Sequence, residues 1–219
     1  MQCPSTALPT RDLAKSGTDP AQATLVEIFA DAVVDGAATG FALGHLKPSG
    51  KPLLWIQDRL TRREAGRPCL AGLPAGLDII HVDVRKATDV LWSMEEGLRC
   101  ADLCGVLGEI WGDPPKLDFT ATKRLALRAE ANAVPAWLMR RAGHPNLSAA
   151  RERWHLKSLP SLRQRHDSRA PGQALWQADL FRSRWRMPGQ WVVHHDVATG
   201  LQFQHPSSTQ AAAQQVRQA

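Results

Sequence analysis

Between Lys86 and Arg141 the chain alternates amphipathic and purely apolar segments, and few folds accommodate that alternation. In Lys86 to Arg99 the apolar residues Val90, Leu91, Met94 and Leu98 recur at spacings of three and four. Glu95, Glu96 and Arg99 take the other face, which is the helical period. Leu103-Cys-Gly-Val-Leu107 is too short for a core helix and apolar enough for a strand covered on both faces. Trp111-Gly-Asp-Pro-Pro115 then breaks the chain, Asp118 or Thr120 can cap a new helix, and Thr120 to Ala133 is dense in good helix formers. Val134 to Met139 closes the unit as a second buried strand, with Pro135 near its start, where a missing N–H is tolerated. Repeated strand and helix units imply a parallel sheet with right-handed crossovers.

The rest of the chain extends this pattern. Leu25-Val-Glu-Ile-Phe29 reads as the first strand, and Ala32 to Leu46 as a helix of small residues able to pack close to a sheet. Lys47-Pro-Ser-Gly50 ends it, and Pro52-Leu-Leu-Trp-Ile56 is the second strand, completing the opening βαβ of a nucleotide-binding fold. Gln57 to Leu73, with Arg59, Arg62, Arg63, Glu64, Arg67 and a breaker at Gly66-Arg-Pro68, reads as a mobile charged loop followed by a short helical turn. Asp78 to Asp83 is a third strand, whose His81 reads as a packed or edge histidine. Four more strands follow, at Arg151 to Leu159, Ala174 to Phe181, Gln190 to Asp196 and Leu201 to Gln204. They extend the sheet as an antiparallel edge, with Pro160 to Pro171 as a mobile loop. Residues 1–23 read as a flexible lead-in, 24–205 as one α/β domain, and 206–219 as a disordered tail or a peptide that folds on a partner.

A phosphate-binding loop belongs between the first strand and its helix. It needs glycines whose N–H groups wrap the phosphates, a Lys for their charge and a hydroxyl for magnesium. With Ala30 at the first glycine, Asp35, Gly36 and Ala37 stand at the second glycine, the lysine and the hydroxyl. A shift of one residue restores Gly36 but puts Ala37 and Ala38 at the other two. Neither register has the lysine, and Asp31 and Asp35 would repel phosphate. ATP hydrolysis is therefore not expected. Glu109, placed just beyond the strand ending at Leu107, where such ATPases hold magnesium, reads as a relic acidic residue or a loop-capping carboxylate.

The net charge is +6, and it is unevenly distributed. From Arg140 to Arg186 there are eleven Lys and Arg against three acidic residues, so the basic character belongs to the C-terminal third. That suits a surface meeting nucleic acid or an acidic protein, and equally a solvated face of edge strands. Trp154, Trp176, Trp185 and Trp191 interleave with these cations. All but Trp185 read as cover for the sheet. Cys69, Cys100 and Cys104, with Cys3, lack disulfide or zinc spacing and read as core thiols in a reducing compartment. In His194-His195-Asp196 the two histidines point to opposite faces of a strand and cannot easily share a metal. There is no nucleophile elbow or Ser/His/Asp pattern, no secretory leader and no run long enough to span a bilayer, so a cytoplasmic chain without membrane contact, cofactor or catalysis is expected.

Several segments together resemble the ImuA family of bacterial damage-induced mutagenesis. They are Leu25-Val-Glu-Ile-Phe, Pro52-Leu-Leu-Trp-Ile, Arg63-Glu-Ala-Gly-Arg-Pro, Ala87-Thr-Asp-Val-Leu-Trp-Ser-Met-Glu-Glu-Gly-Leu-Arg-Cys100, Val106-Leu-Gly-Glu109 and Leu117-Asp-Phe-Thr-Ala-Thr-Lys-Arg-Leu125. Weaker similarity runs through Arg153-Trp-His-Leu and Pro188-Gly-Gln-Trp191. The resemblance implies a RecA-like, mostly parallel sheet flanked by helices, with antiparallel C-terminal edge strands. It also implies an adaptor in translesion DNA synthesis that binds ImuB, with RecA and an error-prone C-family DNA polymerase as further partners. The candidate contact residues are Arg151, Arg153, Lys157, Arg163, Arg165, Arg182, Arg184, Trp185 and Arg186. Two alternatives stand beside it: a SulA-like cell-division inhibitor and a direct single-stranded DNA-binding module.

Overall fold

The computed structural model describes residues 23–32, 34–46, 49–162, 164, 167, 169–196 and 200–206. Residues 1–22 of the lead-in and 207–219 of the tail lie outside the described residues, as do Arg163 and Arg165. The strands are β1 (Leu25–Ala30), β2 (Leu53–Asp58), β3 (Ile79–Val84), β4 (Gly105–Trp111), β5 (Ala136–Arg141), β6 (Glu152–Leu159), β7 (Leu175–Ser183), β8 (Gly189–Asp196) and β9 (Gly200–Gln204). The helices are α1 (Ala37–Gly44), α2 (Arg59–Ala65), α3 (Ala87–Gly97) and α4 (Phe119–Asn132).

All nine strands join one sheet in the order β3-β2-β4-β5-β1-β6-β7-β8-β9. From β3 to β6 every pairing is parallel, and from β6 to β9 every pairing is antiparallel. The expected architecture is therefore found, with one correction. The first of the four C-terminal strands, β6, runs parallel to β1, Val26 facing Glu152 and Ala30 facing Leu156. The connection from β5 to β6 climbs back over the sheet, pinned where Asn146 donates to the Leu117 carbonyl at 3.1 Å and the Ala149 N–H to the Thr122 hydroxyl at 3.0 Å. A return of that length brings β6 in at the same end as β1, which a tight hairpin cannot do.

Alternate residues of the central strands serve opposite faces. Val26, Ile28, Trp55, Leu107, Trp137 and Met139 meet Ala37, Ala38 and Phe41 of α1. Leu25, Ile56, Val106, Ile110 and Leu138 meet Val90, Met94 and Leu98 on the α3 side and Leu125 and Ala129 of α4. Burial on both faces is what makes these strands read as continuous apolar runs. The small residues of α1 do pack close, since a Cβ added to Gly40 would come within 2.4 Å of the Trp176 indole.

Four local expectations change. Helix α1 starts at Ala37 rather than Ala32, because the Asp35 carboxylate takes the Ala37 N–H at 2.8 Å and Gly36 is the capping residue. The charged segment after β2 is not a loose loop. Asp58 caps α2 through the Thr61 N–H at 2.6 Å, and Arg62 and Arg67 both pair with Asp83, at 3.0 and 2.9 Å. Strands β4 and β5 run on past Leu107 and Met139, so Glu109, Arg140 and Arg141 lie inside the sheet. Cys69 and Cys100 are exposed and Cys104 only half-buried, because Cys100 falls in the turn after α3 and Cys69 at the start of a surface turn. Separately, Leu162 donates to the Gln173 carbonyl and accepts from the Gly172 N–H, both at 2.9 Å.

Candidate functional site

The loop from β1 to α1 lies at the carboxyl ends of the parallel strands, where nucleotide-binding sheets place their ligand. Here the protein's own side chains fill the position. The Asp35 carboxylate accepts the Ala37 N–H at the start of α1, where a phosphate would be anchored by the helix N-terminus. It also accepts the backbone N–H and hydroxyl of Ser158 on β6, at 2.8 and 2.5 Å. Burial pushes its pKa upward, but the Ser158 hydroxyl, the Ala37 and Ser158 N–H groups and nearby Arg141 outweigh it and hold the carboxyl below its ordinary value. Ala37, at one of the two candidate positions for the hydroxyl, is fully buried against the sheet.

From the other side Arg141 of β5 reaches into the same place. Its Nη2 donates to the Thr39 hydroxyl at 3.1 Å, its Nη1 to the Asp35 carbonyl at 3.3 Å, and its Nε pairs with Glu109 at 2.6 Å. Glu109 is 1 % exposed and also accepts the Trp55 indole N–H at 2.6 Å and the Gln57 amide at 3.1 Å. Gln57 in turn contacts His81 Nε2 at 2.9 Å, which makes His81 an edge-strand residue tied to this network. A chain of polar contacts thus crosses the top of the sheet from β3 to β6. Glu109 lies inside β4 rather than capping a loop, and its oxygens are engaged by an arginine, an indole and an amide.

A second buried ion cluster sits beside the first on the opposite face. Glu27 is fully buried and pairs with Arg140 at 3.2 Å and Arg153 at 2.7 Å. Arg140 also reaches Asp113 at 2.5 Å, and the Arg153 guanidinium lies 5.4 Å from the Phe29 ring and 5.1 Å from Phe181. Such cation–π contacts compensate a desolvated guanidinium. Asp113 in turn accepts from the His144 ring and N–H, which with Arg140 outweigh its burial and keep its pKa low.

The structure divides the candidate contact residues into internal and external groups. Arg153 is buried. Arg186 pairs with Glu152 at 2.7 Å and lies 5.7 Å from the Trp154 ring, Arg151 pairs with Glu130 at 2.6 Å, and Lys157 comes within 3.6 Å of Asp31. The bond from Arg151 outweighs burial and lowers the Glu130 pKa. Arg182, Arg184 and Trp185 are exposed at and beside the β7–β8 turn. Trp154, Trp176 and Trp191 cover the sheet as expected, while Trp185 stands 44 % exposed. Sequence reasoning did not single out Ser158, Arg140, Arg141 or the exposed Met187 and Leu147. The available signal was the Arg-Arg pair closing an otherwise apolar strand.

His194 and His195 stand on β8 opposite Gln202 and Leu201, and among the described residues no group of three His, Cys, Asp or Glu is arranged to hold a metal. No described helix is long and apolar enough to cross a membrane.

Strand order and flanking helices define a RecA-like α/β fold. The crystal structure of the RadB recombinase is similar to 83 % of this chain and 90 % of that one, with a TM-score of 0.54 and 15 % sequence identity. No protein-family model and no curated protein matches the chain.

Proposed function

We propose that this chain is a non-catalytic adaptor of the ImuA type, acting in damage-induced translesion DNA synthesis by binding ImuB, with RecA and an error-prone C-family polymerase as further partners. The observation that carries the non-catalytic part is the self-filled phosphate position. Asp35 takes the helix N–H that a phosphate needs, and Arg141 occupies Glu109. Recruiting the buried Glu109 carboxylate to a metal would break its ion pair with Arg141, and breaking a buried pair costs about 3–5 kcal/mol. The partner assignment rests on the family resemblance of the α3 segment and its neighbours, and the fold shared with a recombinase supports a setting in DNA transactions.

Size-exclusion chromatography with light scattering, on the protein alone and mixed with ImuB at moderate salt, tests the adaptor role; a stable complex is expected. Magnesium-dependent ATP turnover that disappears on Glu109→Gln would overturn the non-catalytic reading.

A further inference from the structure

The β7–β8 turn combines rigidity with exposed apolar groups. The Ser183 hydroxyl accepts the Trp185 and Arg186 N–H groups at 3.1 and 3.2 Å, so the turn's backbone is held by its own side chain. Arg186 then points inward, its Nε on Glu152 at 2.7 Å and its guanidinium beside the Trp154 ring. Glu152 is itself buried and receives the Ser183 hydroxyl and the Trp154 indole N–H as well. With Arg186 anchored, its two neighbours in the turn face solvent: Trp185 is 44 % and Met187 83 % exposed.

Two arginines precede this apolar tip along the chain. Arg184 is exposed, its backbone N–H tied to the Arg151 carbonyl at 2.9 Å. Glu130, whose carboxylate feels the Arg184 charge, already makes two bonds to Arg151. Arg182 is exposed and donates to the Ser148 carbonyl, a neutral partner, beside the 71 % exposed Leu147. The turn therefore presents exposed Trp and Met side chains close in sequence to Arg182 and Arg184, and among the described residues neither of these guanidiniums forms an ion pair with a carboxylate.

We infer that this turn is the docking element for the adaptor's protein partner, an acidic segment carrying an apolar anchor, with Trp185 and Met187 as the buried contacts and Arg182 and Arg184 as the charged rim. The inference rests on the adaptor reading. Three features favour a protein over a nucleic acid. Met187 is a flexible, polarizable side chain suited to an apolar pocket, whereas base stacking uses flat rings. Among the described residues, Arg151, Arg186 and Lys157, which would have extended a phosphate track, each pair with a carboxylate, and Arg182 and Arg184 are the exposed cations at and beside the turn. The turn is preorganised, so little ordering entropy opposes burial of its aromatic residue, the arrangement typical of interface hot spots.

The test is the affinity of wild-type protein, Trp185→Ala/Met187→Ala and Arg182→Ala/Arg184→Ala for ImuB and for a fluorescent oligothymidylate, with thermal melts of each variant. The apolar double variant is expected to melt like wild type and to bind ImuB at least tenfold more weakly. The arginine variant is expected to lose less and to flatten the salt dependence. Wild-type ImuB affinity in the apolar variant would overturn this inference and leave the adaptor reading standing. So would tight, salt-sensitive oligothymidylate binding lost with the same residues while ImuB binding persists, which would make the turn a nucleic-acid surface. Failure of the wild-type protein to bind ImuB would overturn the adaptor reading, and this inference with it.

Discussion

Asp35 and Ser158 are 123 positions apart, yet the Asp35 carboxylate accepts both the backbone N–H and the hydroxyl of Ser158. The contact ties the loop above β1 to strand β6, at the carboxyl ends of the parallel strands.

Asp35→Ala removes these two bonds and the one to Ala37. Each net hydrogen bond contributes about 1 kcal/mol, less where solvent competes, so a loss of about 1–2 kcal/mol is expected in urea unfolding at pH 7. The carboxyl's pKa is lowered in the folded state, so its contribution is complete above the unfolded value near 4 and is lost as pH falls through the folded one. The gap between wild type and Asp35→Ala should therefore close in strong acid; a gap that stays constant to low pH would mean that the carboxylate charge is not what holds the loop.

Glu109 and Arg141 should behave as a coupled pair. Glu109→Leu strands a 5 % exposed guanidinium and is expected to cost about 3 kcal/mol or more. Glu109→Leu with Arg141→Met replaces both charges by apolar groups and should be markedly more stable than either single change. Additive losses in this double-mutant cycle would show that the ion pair does not couple β4 to β5.

His45 adds a pH dependence of opposite chemistry and the same sign. Burial pushes its pKa down to about 4, and its Nδ1 lies 2.8 Å from the Phe41 carbonyl, which fixes the neutral tautomer with a proton on that nitrogen. The unfolded chain takes up a proton near pH 6.5 while the folded chain resists until about 4. Stability is therefore full above pH 6.5 and falls between 6.5 and 4. Part of the residue remains at the surface, so the expected drop is about 1–2 kcal/mol. The difference between denaturant midpoints at pH 7 and pH 5 should be smaller for His45→Asn than for wild type, the remainder coming from His155, whose pKa burial also lowers.

Gly40→Ala sets two effects against each other. Helix propensity favours Ala by about 1 kcal/mol, but the new Cβ would lie 2.4 Å from the Trp176 ring. Overpacking typically costs about 1–3 kcal/mol, and an indole packed in the core has little room to yield. Net destabilisation is expected in thermal melts; a raised melting temperature would mean that α1 can lift off β7.

The central unit was legible because its signals are local. Val90, Leu91, Met94 and Leu98 describe a helix without reference to anything else, and Asp118 caps α4 through the Ala121 N–H at 2.8 Å, as its position suggests. The missing lysine and hydroxyl were equally plain. The ends of β4 and β5 were not, because Glu109, Arg140 and Arg141 look like surface charges until their partners across the sheet are known. The same holds for the basic C-terminal third. Its eleven cations read as one surface, but Arg140, Arg141 and Arg153 are buried in ion pairs and Arg186 is an internal anchor.

Periodicity, capping residues and breakers, which act over a few neighbouring positions, were enough to specify a parallel α/β sheet with antiparallel C-terminal strands. Which charges stay in water was decided by folding alone. A carboxylate or guanidinium is buried only where a partner compensates its desolvation, and those partners, Glu109 with Arg141 and Glu27 with Arg153, are brought together by strand order rather than by proximity along the chain.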